Sequence, residues 1–157
     1  MKIQLWSVGK QHDAMVLKGV EEFTKRLQKY YTTAWQIIPP PKNAGVLPHE
    51  ELLKQEGKLI LAQLQPDDYL VLLDERGEMI SSVELAAFLQ QRATESTRKI
   101  VFLIGGAFGV DTVVRQRAQF VWSFSKLVFP HMLVRFILAE QLYRACSINR
   151  NEKYHHL

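Results

Sequence analysis

The stretch Ile100-Val101-Phe102-Leu103-Ile104-Gly105-Gly106 is the clearest indication of how this chain folds. It is an unbroken apolar run that two glycines close. A run without polar alternation is typical of a central strand covered by helices on both faces. A second run, Tyr69-Leu70-Val71-Leu72-Leu73, has the same character and is predicted to end at Asp74. Together they predict the middle of a largely parallel sheet.

The sequence on either side alternates between strand and helix patterns. Short strands are predicted at residues 3–8, 35–38 and 121–124. Between them, apolar residues recur at the spacing of three and four that marks a helix face. A long, mainly apolar helix is predicted over residues 131–147. This alternation predicts one three-layer α/β/α domain over residues 1–157, ending in a polar tail over about residues 148–157.

Two helix starts carry capping residues. Ser81 and Glu84 have the spacing of a capping box, in which each side chain satisfies a free backbone amide. Asp111 is predicted to cap a further helix through its side chain.

Composition excludes several classes of protein. The chain has 157 residues, 47% hydrophobic and 23% charged, which excludes a disordered or rod-like protein. No apolar run reaches the roughly 18 residues of a membrane span, and the first residues lack a signal-peptide pattern. One cysteine, Cys146, provides neither a disulfide nor a zinc site. We therefore expect a cytoplasmic protein without membrane or metal.

The charge is unevenly distributed. Residues 1–111 hold 13 basic and 14 acidic residues, whereas residues 112–157 hold 7 basic and 2 acidic ones. A basic C-terminal third indicates either a surface directed at an anion or an ordinary solvated surface with a positive bias.

Candidate ligand-binding segments follow the predicted central strands, where parallel sheets bind ligands. Gly105, Gly106 and Gly109 allow close backbone approach, either for a ligand or for a tight turn alone. Their spacing fits neither a dinucleotide fingerprint nor a phosphate loop. Residues 124–130 contain four large apolar side chains, which is unusual for a solvated loop and predicts that the loop fills a pocket or meets a partner.

The C-terminal region supplies polar candidates. Glu140 and Arg144 are four residues apart on the long helix and can pair. In the tail, Tyr154 and His155 combine a stacking surface with a titratable ring, and with the neighbouring basic residues they could bind a nucleotide. The alternative is an ordinary disordered tail. Cys146 is predicted to be a small buried residue.

Taken together, several segments resemble the ribosomal RNA large-subunit methyltransferase H family of the SPOUT class. The segments are Lys2-Ile3-Gln4-Leu5, Ile104-Gly105-Gly106-x-x-Gly109, Ser123-Phe124-Ser125-Lys126, Phe129-Pro130-His131, Leu133-Val134-Arg135, Ala139-Glu140-Gln141-Leu142-Tyr143-Arg144-Ala145 and Tyr154-His155. Their order and spacing are specific, and the resemblance covers the whole chain.

The resemblance implies a parallel α/β sheet with a C-terminal trefoil knot, a homodimer, and S-adenosylmethionine bound by the knot loops. By position, those loops carry Leu72, Leu73, Gly105, Gly106, Phe124, Ser125, Lys126, Leu127, Val128, Phe129 and Pro130.

The implied reaction is methyl transfer to N3 of a pseudouridine in 23S rRNA within the ribosome. The resemblance implies that Tyr154, His155 and Arg144 position the pyrimidine ring and that Glu140 orients Arg144. His155 is the candidate general base, and His131 is a second candidate for that role. The residues expected to contact RNA are Arg135, Arg150, Lys153 and His156. The family is often basic at the last of these positions, where this chain has a histidine.

Two other readings predict different behaviour. A non-catalytic RNA-binding or ribosome-binding module that keeps the knot would not bind S-adenosylmethionine. A dinucleotide-dependent enzyme would need a pyrophosphate-binding turn that this sequence lacks.

Overall fold

The computed structural model describes residues 1–156. Strands and helices alternate along the chain, as the sequence predicts. The elements in order are β1 (Lys2–Val8), α1 (Ala14–Leu27), β2 (Thr32–Ile38), a short 3-10 turn (Ala44–Val46), α2 (His49–Gln63), β3 (Tyr69–Met79), α3 (Ser82–Thr94), β4 (Lys99–Ile104), α4 (Thr112–Arg117), β5 (Phe120–Ser123) and α5 (His131–Asn149). None of these helices is both long and apolar enough to cross a membrane.

The strands form one sheet in the order β2-β1-β4-β3-β5, and every neighbouring pair is parallel. The two apolar runs are neighbours, as predicted: Leu70 is opposite Val101, and Leu72 is opposite Leu103. Because all strands point the same way, their carboxyl ends meet at one edge of the sheet.

Helices cover both faces of the sheet. Side chains such as Val71 and Phe102 pack on one face with α1, α3 and α5, while Leu72 and Leu103 pack on the other face with α2 and α4. Alternate residues of each strand therefore supply two separate cores. This arrangement confirms the predicted three-layer α/β/α architecture.

The strand predicted to end at Asp74 continues to Met79. Its pairing with β5 is interrupted after Leu73 and resumes at Glu78, which lies opposite Trp122. Gly77 permits this, because a Cβ there would lie 2.6 Å from the carbonyl oxygen of Val121. The long-range pairing with β5, which local sequence patterns do not report, extends the strand.

Two predicted local features have different outcomes. The capping box of α3 is confirmed: the Glu84 amide donates to Ser81 Oγ at 3.1 Å, and the Ser81 amide donates to Glu84 Oε2 at 2.6 Å. Asp111 does occupy the capping position of α4, but its side chain makes no capping hydrogen bond.

The C-terminal helix α5 packs between α1 and α3 and is longer than predicted. Ile148 and Asn149, assigned to the tail from the sequence, belong to the helix. The chain then reverses at Asn151, whose φ is 56°, and the Glu152 amide donates to the Ser147 carbonyl at 2.9 Å. The tail therefore folds back along α5.

Candidate functional site

A cleft of about 510 Å³ opens at the carboxyl edge of β3, β4 and β5. This volume is within the range of roughly 300–1,000 Å³ that small-molecule pockets occupy. Its lining includes nine of the residues predicted to bind a cofactor: Leu72, Leu73, Gly105, Gly106, Phe124, Ser125, Leu127, Val128 and Phe129. The other two, Lys126 and Pro130, are exposed and do not line it.

The glycine turn after β4 forms one wall of the cleft. A Cβ on Gly105 would lie 2.7 Å from Val110 Cγ1 and 2.8 Å from the carbonyl oxygen of Gly109, so no side chain fits there. Gly109 has a φ of +86°, and its amide donates to the Gly106 carbonyl at 3.1 Å. Glycine is required for this close return of the backbone.

The loop after β5 forms the opposite wall and is held by serine side chains. Ser123 Oγ donates to the Ser125 carbonyl at 2.8 Å, and the Leu127 amide donates to Ser125 Oγ at 3.0 Å. The turn leaves Leu127 and Val128 largely exposed, the latter by 74% of its surface. An exposed apolar pair at the mouth of a cleft is typical of a surface that contacts a ligand or another chain.

Trp122, at the end of β5, also lines the cleft and is not among the predicted site residues. Its ring packs against Phe124 with 4.8 Å between centroids, but its buried Nε1 has no hydrogen-bond partner among residues 1–156. Buried indole nitrogens usually find a partner. Trp122 therefore adds apolar surface to the cleft and leaves one buried donor unpaired.

Charged side chains lie along the β3 side of the cleft. The Arg76 amide donates to Asp74 Oδ1 at 2.8 Å, and the Arg76 guanidinium and Arg115 pair with the same carboxylate. Burial alone would raise the pKa of Asp74, but the hydrogen bonds from Arg76 and the charge of Arg115 outweigh it, and the pKa lies below its ordinary value. Asp74 therefore stays ionised at the rim.

The predicted catalytic residues form a second cluster on α5 and the tail. Tyr154 Oη donates to Glu140 Oε1 at 3.0 Å, and Arg144 Nε donates to the same oxygen at 3.0 Å. The Arg144 guanidinium lies 4.7 Å from the Tyr154 ring centroid, and its Nη1 lies 3.2 Å from His155 Nδ1. Because a guanidinium only donates, His155 Nδ1 must accept, and the neutral ring carries its proton on Nε2.

The cluster and the cleft are separate within one chain. The cleft reaches α5 at Val134, and none of the four clustered side chains lines it. Arg144 follows Val134 by ten residues, which is about 15 Å along a helix. The fold therefore brings the four predicted residues together, but away from the cleft of the same chain. These residues are Glu140, Arg144, Tyr154 and His155.

The four residues predicted to contact RNA fall into two groups. Arg150, Lys153 and His156 are exposed near the tail. Arg135 differs from this expectation, because only 1% of its surface is exposed. Its position on α5 turns it toward β1, where it donates from Nε to Ser7 Oγ at 2.9 Å. An RNA phosphate cannot reach this guanidinium from the outer surface.

Across residues 1–156, no three or more His, Cys, Asp and Glu side chains are grouped so that they could hold a metal ion.

Sequence comparison relates the whole chain to known proteins. A family model described as "Predicted SPOUT methyltransferase" matches residues 1–155. A Cytophaga hutchinsonii protein named "Ribosomal RNA large subunit methyltransferase H" is 43% identical over 156 residues, covering 99% of this chain and 100% of its own length. Proteins of the same name from Porphyromonas gingivalis and Desulfitobacterium hafniense are 40% and 34% identical, each with 99% of both chains covered.

Structure comparison agrees at the level of the fold. A solved structure described as "a probable methylase family protein from Haemophilus influenzae Rd KW20" superposes with a TM-score of 0.52 over 99% of this chain and 70% of that one. The two sequences are 11% identical, so the likeness shows a common fold and no more.

Proposed function

Since the chain belongs to the SPOUT methyltransferase family, we propose that it methylates ribosomal RNA with S-adenosylmethionine as methyl donor. The specific reaction is transfer to N3 of a pseudouridine in 23S rRNA of the assembled ribosome. The observation that carries the proposal is the cleft, which is lined by three segments that the family resemblance assigns to the cofactor.

The cleft suits an adenosine with an attached amino acid. Its volume of about 510 Å³ is sufficient for a ligand of that size. Leu73 and Phe124 offer apolar surface to an adenine, and the backbone of Gly105 and Gly106 lines the cleft without side chains in the way. The knot that the resemblance implies is part of this proposal.

The active enzyme is a homodimer in which the tail of one chain completes the cleft of the other. Two observations support this arrangement. The tail cluster is about 15 Å along α5 from its own cleft, and Leu127, Val128 and Leu133 expose apolar surface near the cleft. A symmetric pairing that covers these side chains would bury apolar surface and bring the two halves of the site together.

The residues of the tail cluster orient and ionise the target base. Arg144 is a donor that can bind a carbonyl oxygen of the pyrimidine, and Tyr154 offers its ring for stacking. Glu140 holds both Arg144 and Tyr154 through one oxygen, which fixes the geometry of the donors. Donors at the ring oxygens stabilise the anion left when N3 loses its proton.

The proton on N3 passes to His155. In the structure His155 Nδ1 accepts from Arg144. When Arg144 Nη1 donates to the base instead, with Nε still held by Glu140, His155 Nδ1 becomes free to accept the proton. S-adenosylmethionine supplies a methyl group already activated on sulfur, so the protein has to align and deprotonate the base but needs no nucleophile of its own.

Arg150, Lys153 and His156 contact the phosphates around the target. All three are exposed beside the tail, where the chain is most basic. A net charge of +4 gives only modest attraction to free RNA, so recognition depends on the folded ribosome.

The cofactor part of the proposal is tested by calorimetric titration with S-adenosylmethionine, with and without ribosomes. Saturable binding that a bulky substitution at Gly106 abolishes supports the proposal. No binding under either condition favours the non-catalytic RNA-binding module instead.

A further inference from the structure

Arg135 is a buried cation without a matching anion. Nε donates to Ser7 Oγ at 2.9 Å, and Nη1 faces His12 Nδ1 at 3.3 Å. Among residues 1–156, no carboxylate lies within salt-bridge distance of the guanidinium, and Nη2 has no hydrogen-bond partner.

The two neighbouring histidines do not supply the missing negative charge. Burial lowers the pKa of His12, and the charge of Arg135 lowers it further, against a smaller opposing effect of Glu21. Burial also lowers the pKa of His131, and the charge of Arg135 lowers it further. Both rings are therefore neutral at pH 7 and do not compensate the charge of the guanidinium.

A buried and uncompensated charge is costly, and proteins seldom keep one without a use. A leucine or methionine on α5 would fill the same space without this cost. The hydrogen bonds to Ser7 and His12 satisfy two of the three guanidinium nitrogens but do not account for the charge. An arginine here is explained if an anionic group joins it.

The position of Arg135 limits what that group can be. Ser7 lies near the carboxyl end of β1, the strand that pairs with β4 and so adjoins the glycine turn of the cleft. His131 lines the cleft and is near enough to sense the charge of Arg135. Nη2 lies 3.6 Å from where a Cβ on Gly9 would be, and the absence of that side chain leaves space beside it.

We propose that Arg135 is the binding site for the carboxylate of the methionine part of S-adenosylmethionine, which reaches it from the cleft beside His131. The proposal rests on the proposed cofactor. A carboxylate matches the planar guanidinium and can use its free Nη2. Arg135 is 1% exposed and does not itself line the cleft, but His131 and Val134 on the same helix do. A flexible ligand tail that extends past these two residues is therefore the group that can meet the guanidinium, whereas the phosphate of an RNA backbone is too bulky to do so.

The test compares two ligands that differ only in this carboxylate: S-adenosylmethionine and decarboxylated S-adenosylmethionine. Calorimetry measures the dissociation constant of each for the wild-type protein and for Arg135→Met. Loss of a hydrogen bond to a charged group changes affinity by at least about tenfold. The wild type should prefer S-adenosylmethionine by that factor, and Arg135→Met should bind both ligands equally.

Arg98→Met is the matched control, because Arg98 is exposed and lies at the opposite edge of the sheet. It should keep the wild-type preference. The melting temperature of ligand-free Arg135→Met should equal or exceed that of the wild type, because removing an uncompensated buried charge is not destabilising. A purely structural arginine would give a lower melting temperature.

The variant Arg135→Lys provides a second measurement if the methionine variant does not fold. It keeps the charge but loses the planar fork, so the preference should shrink without vanishing. The proposal would be overturned if Arg135→Met and Arg135→Lys both kept the wild-type preference for S-adenosylmethionine over its decarboxylated form. It would also be overturned if this preference were unchanged while the variants bound ribosomes more weakly. If the wild type bound neither ligand, the cofactor assignment itself would fail.

Discussion

The phenol oxygen of Tyr154 lies 3.0 Å from Oε1 of Glu140, and this hydrogen bond joins the end of the chain to the middle of α5. The same carboxylate holds Arg144, whose guanidinium lies 4.7 Å from the centre of the Tyr154 ring. Tyr30 Oη adds a contact at 2.6 Å to Glu152 in the tail. The tail is therefore a docked part of the fold whose polar groups are already arranged.

Removing the Tyr154 hydroxyl should loosen this docking. We expect Tyr154→Phe to lower the free energy of unfolding by about 1 kcal/mol, because one hydrogen bond is lost while the ring contacts remain. Urea denaturation measures the change. Tyr31→Phe is the control, since the Tyr31 hydroxyl has no hydrogen-bond partner among residues 1–156. Equal losses in the two variants would contradict the assigned role of the Tyr154–Glu140 contact.

The double variant Tyr154→Phe, His155→Ala should lose methylation while still binding S-adenosylmethionine. The cleft proposed for the cofactor contains neither residue, whereas the proposed chemistry requires both. Methyl incorporation into ribosomes and calorimetry give the two readings. An undiminished methylation rate would remove the tail from the mechanism.

Two inactive variants should complement each other if one site combines two chains. We expect co-expression of a cleft variant, Gly105→Val, with the tail double variant to recover about a quarter of wild-type methylation in the unsorted population, and about half in purified mixed dimers. Half of the randomly paired dimers are then mixed, and each has one intact site. Co-expression with two affinity tags provides these dimers. Recovery would not occur if each chain formed its own site.

The glycine turn should be intolerant of even one methyl group. Gly105→Ala places a Cβ 2.7 Å from Val110 Cγ1, so the turn must shift, and affinity for S-adenosylmethionine should fall at least tenfold, an order-of-magnitude expectation for lost polar contacts. Gly45→Ala is the matched control, because a Cβ there meets nothing within 4 Å. Calorimetry should show the same affinity for this control as for the wild type.

Asp74 should make stability depend on pH in the acid range. Its folded pKa is below the ordinary value of 3.8, so its contribution is complete above that pH and is lost as the pH falls through the folded pKa. We expect Asp74→Asn to be less stable than the wild type at pH 7, and the difference to shrink below pH 3.8. Urea denaturation of the two proteins at pH 7 and at a pH below 3.8 measures this difference. A constant difference would show that Asp74 acts through packing alone.

The sequence predicts what depends on neighbouring residues in the chain. The apolar runs of β3 and β4, the capping box at Ser81 and the pair of Glu140 with Arg144 all depend on local spacing, and the structure confirms them. The family resemblance also groups Tyr154 and His155 with Glu140 and Arg144, and these four side chains do meet.

The features that local spacing misses depend on contacts between distant segments. The extension of β3 to Met79 requires pairing with β5. The burial of Arg135 depends on how α5 lies across the end of β1, which brings it to Ser7, 128 residues away. The unpaired Nε1 of Trp122 is visible only once the cleft is formed. No periodicity in the sequence reports these relations.

The most direct test of the account is methyl transfer itself. Ribosomes whose target pseudouridine lacks the N3 methyl group are incubated with the protein and S-adenosylmethionine carrying a deuterated methyl group, and digested 23S rRNA is analysed by mass spectrometry. We predict one deuterated methyl group on N3 of a single pseudouridine, dependent on His155. Bound cofactor with no labelled nucleoside, or label on another base or atom, would contradict the account.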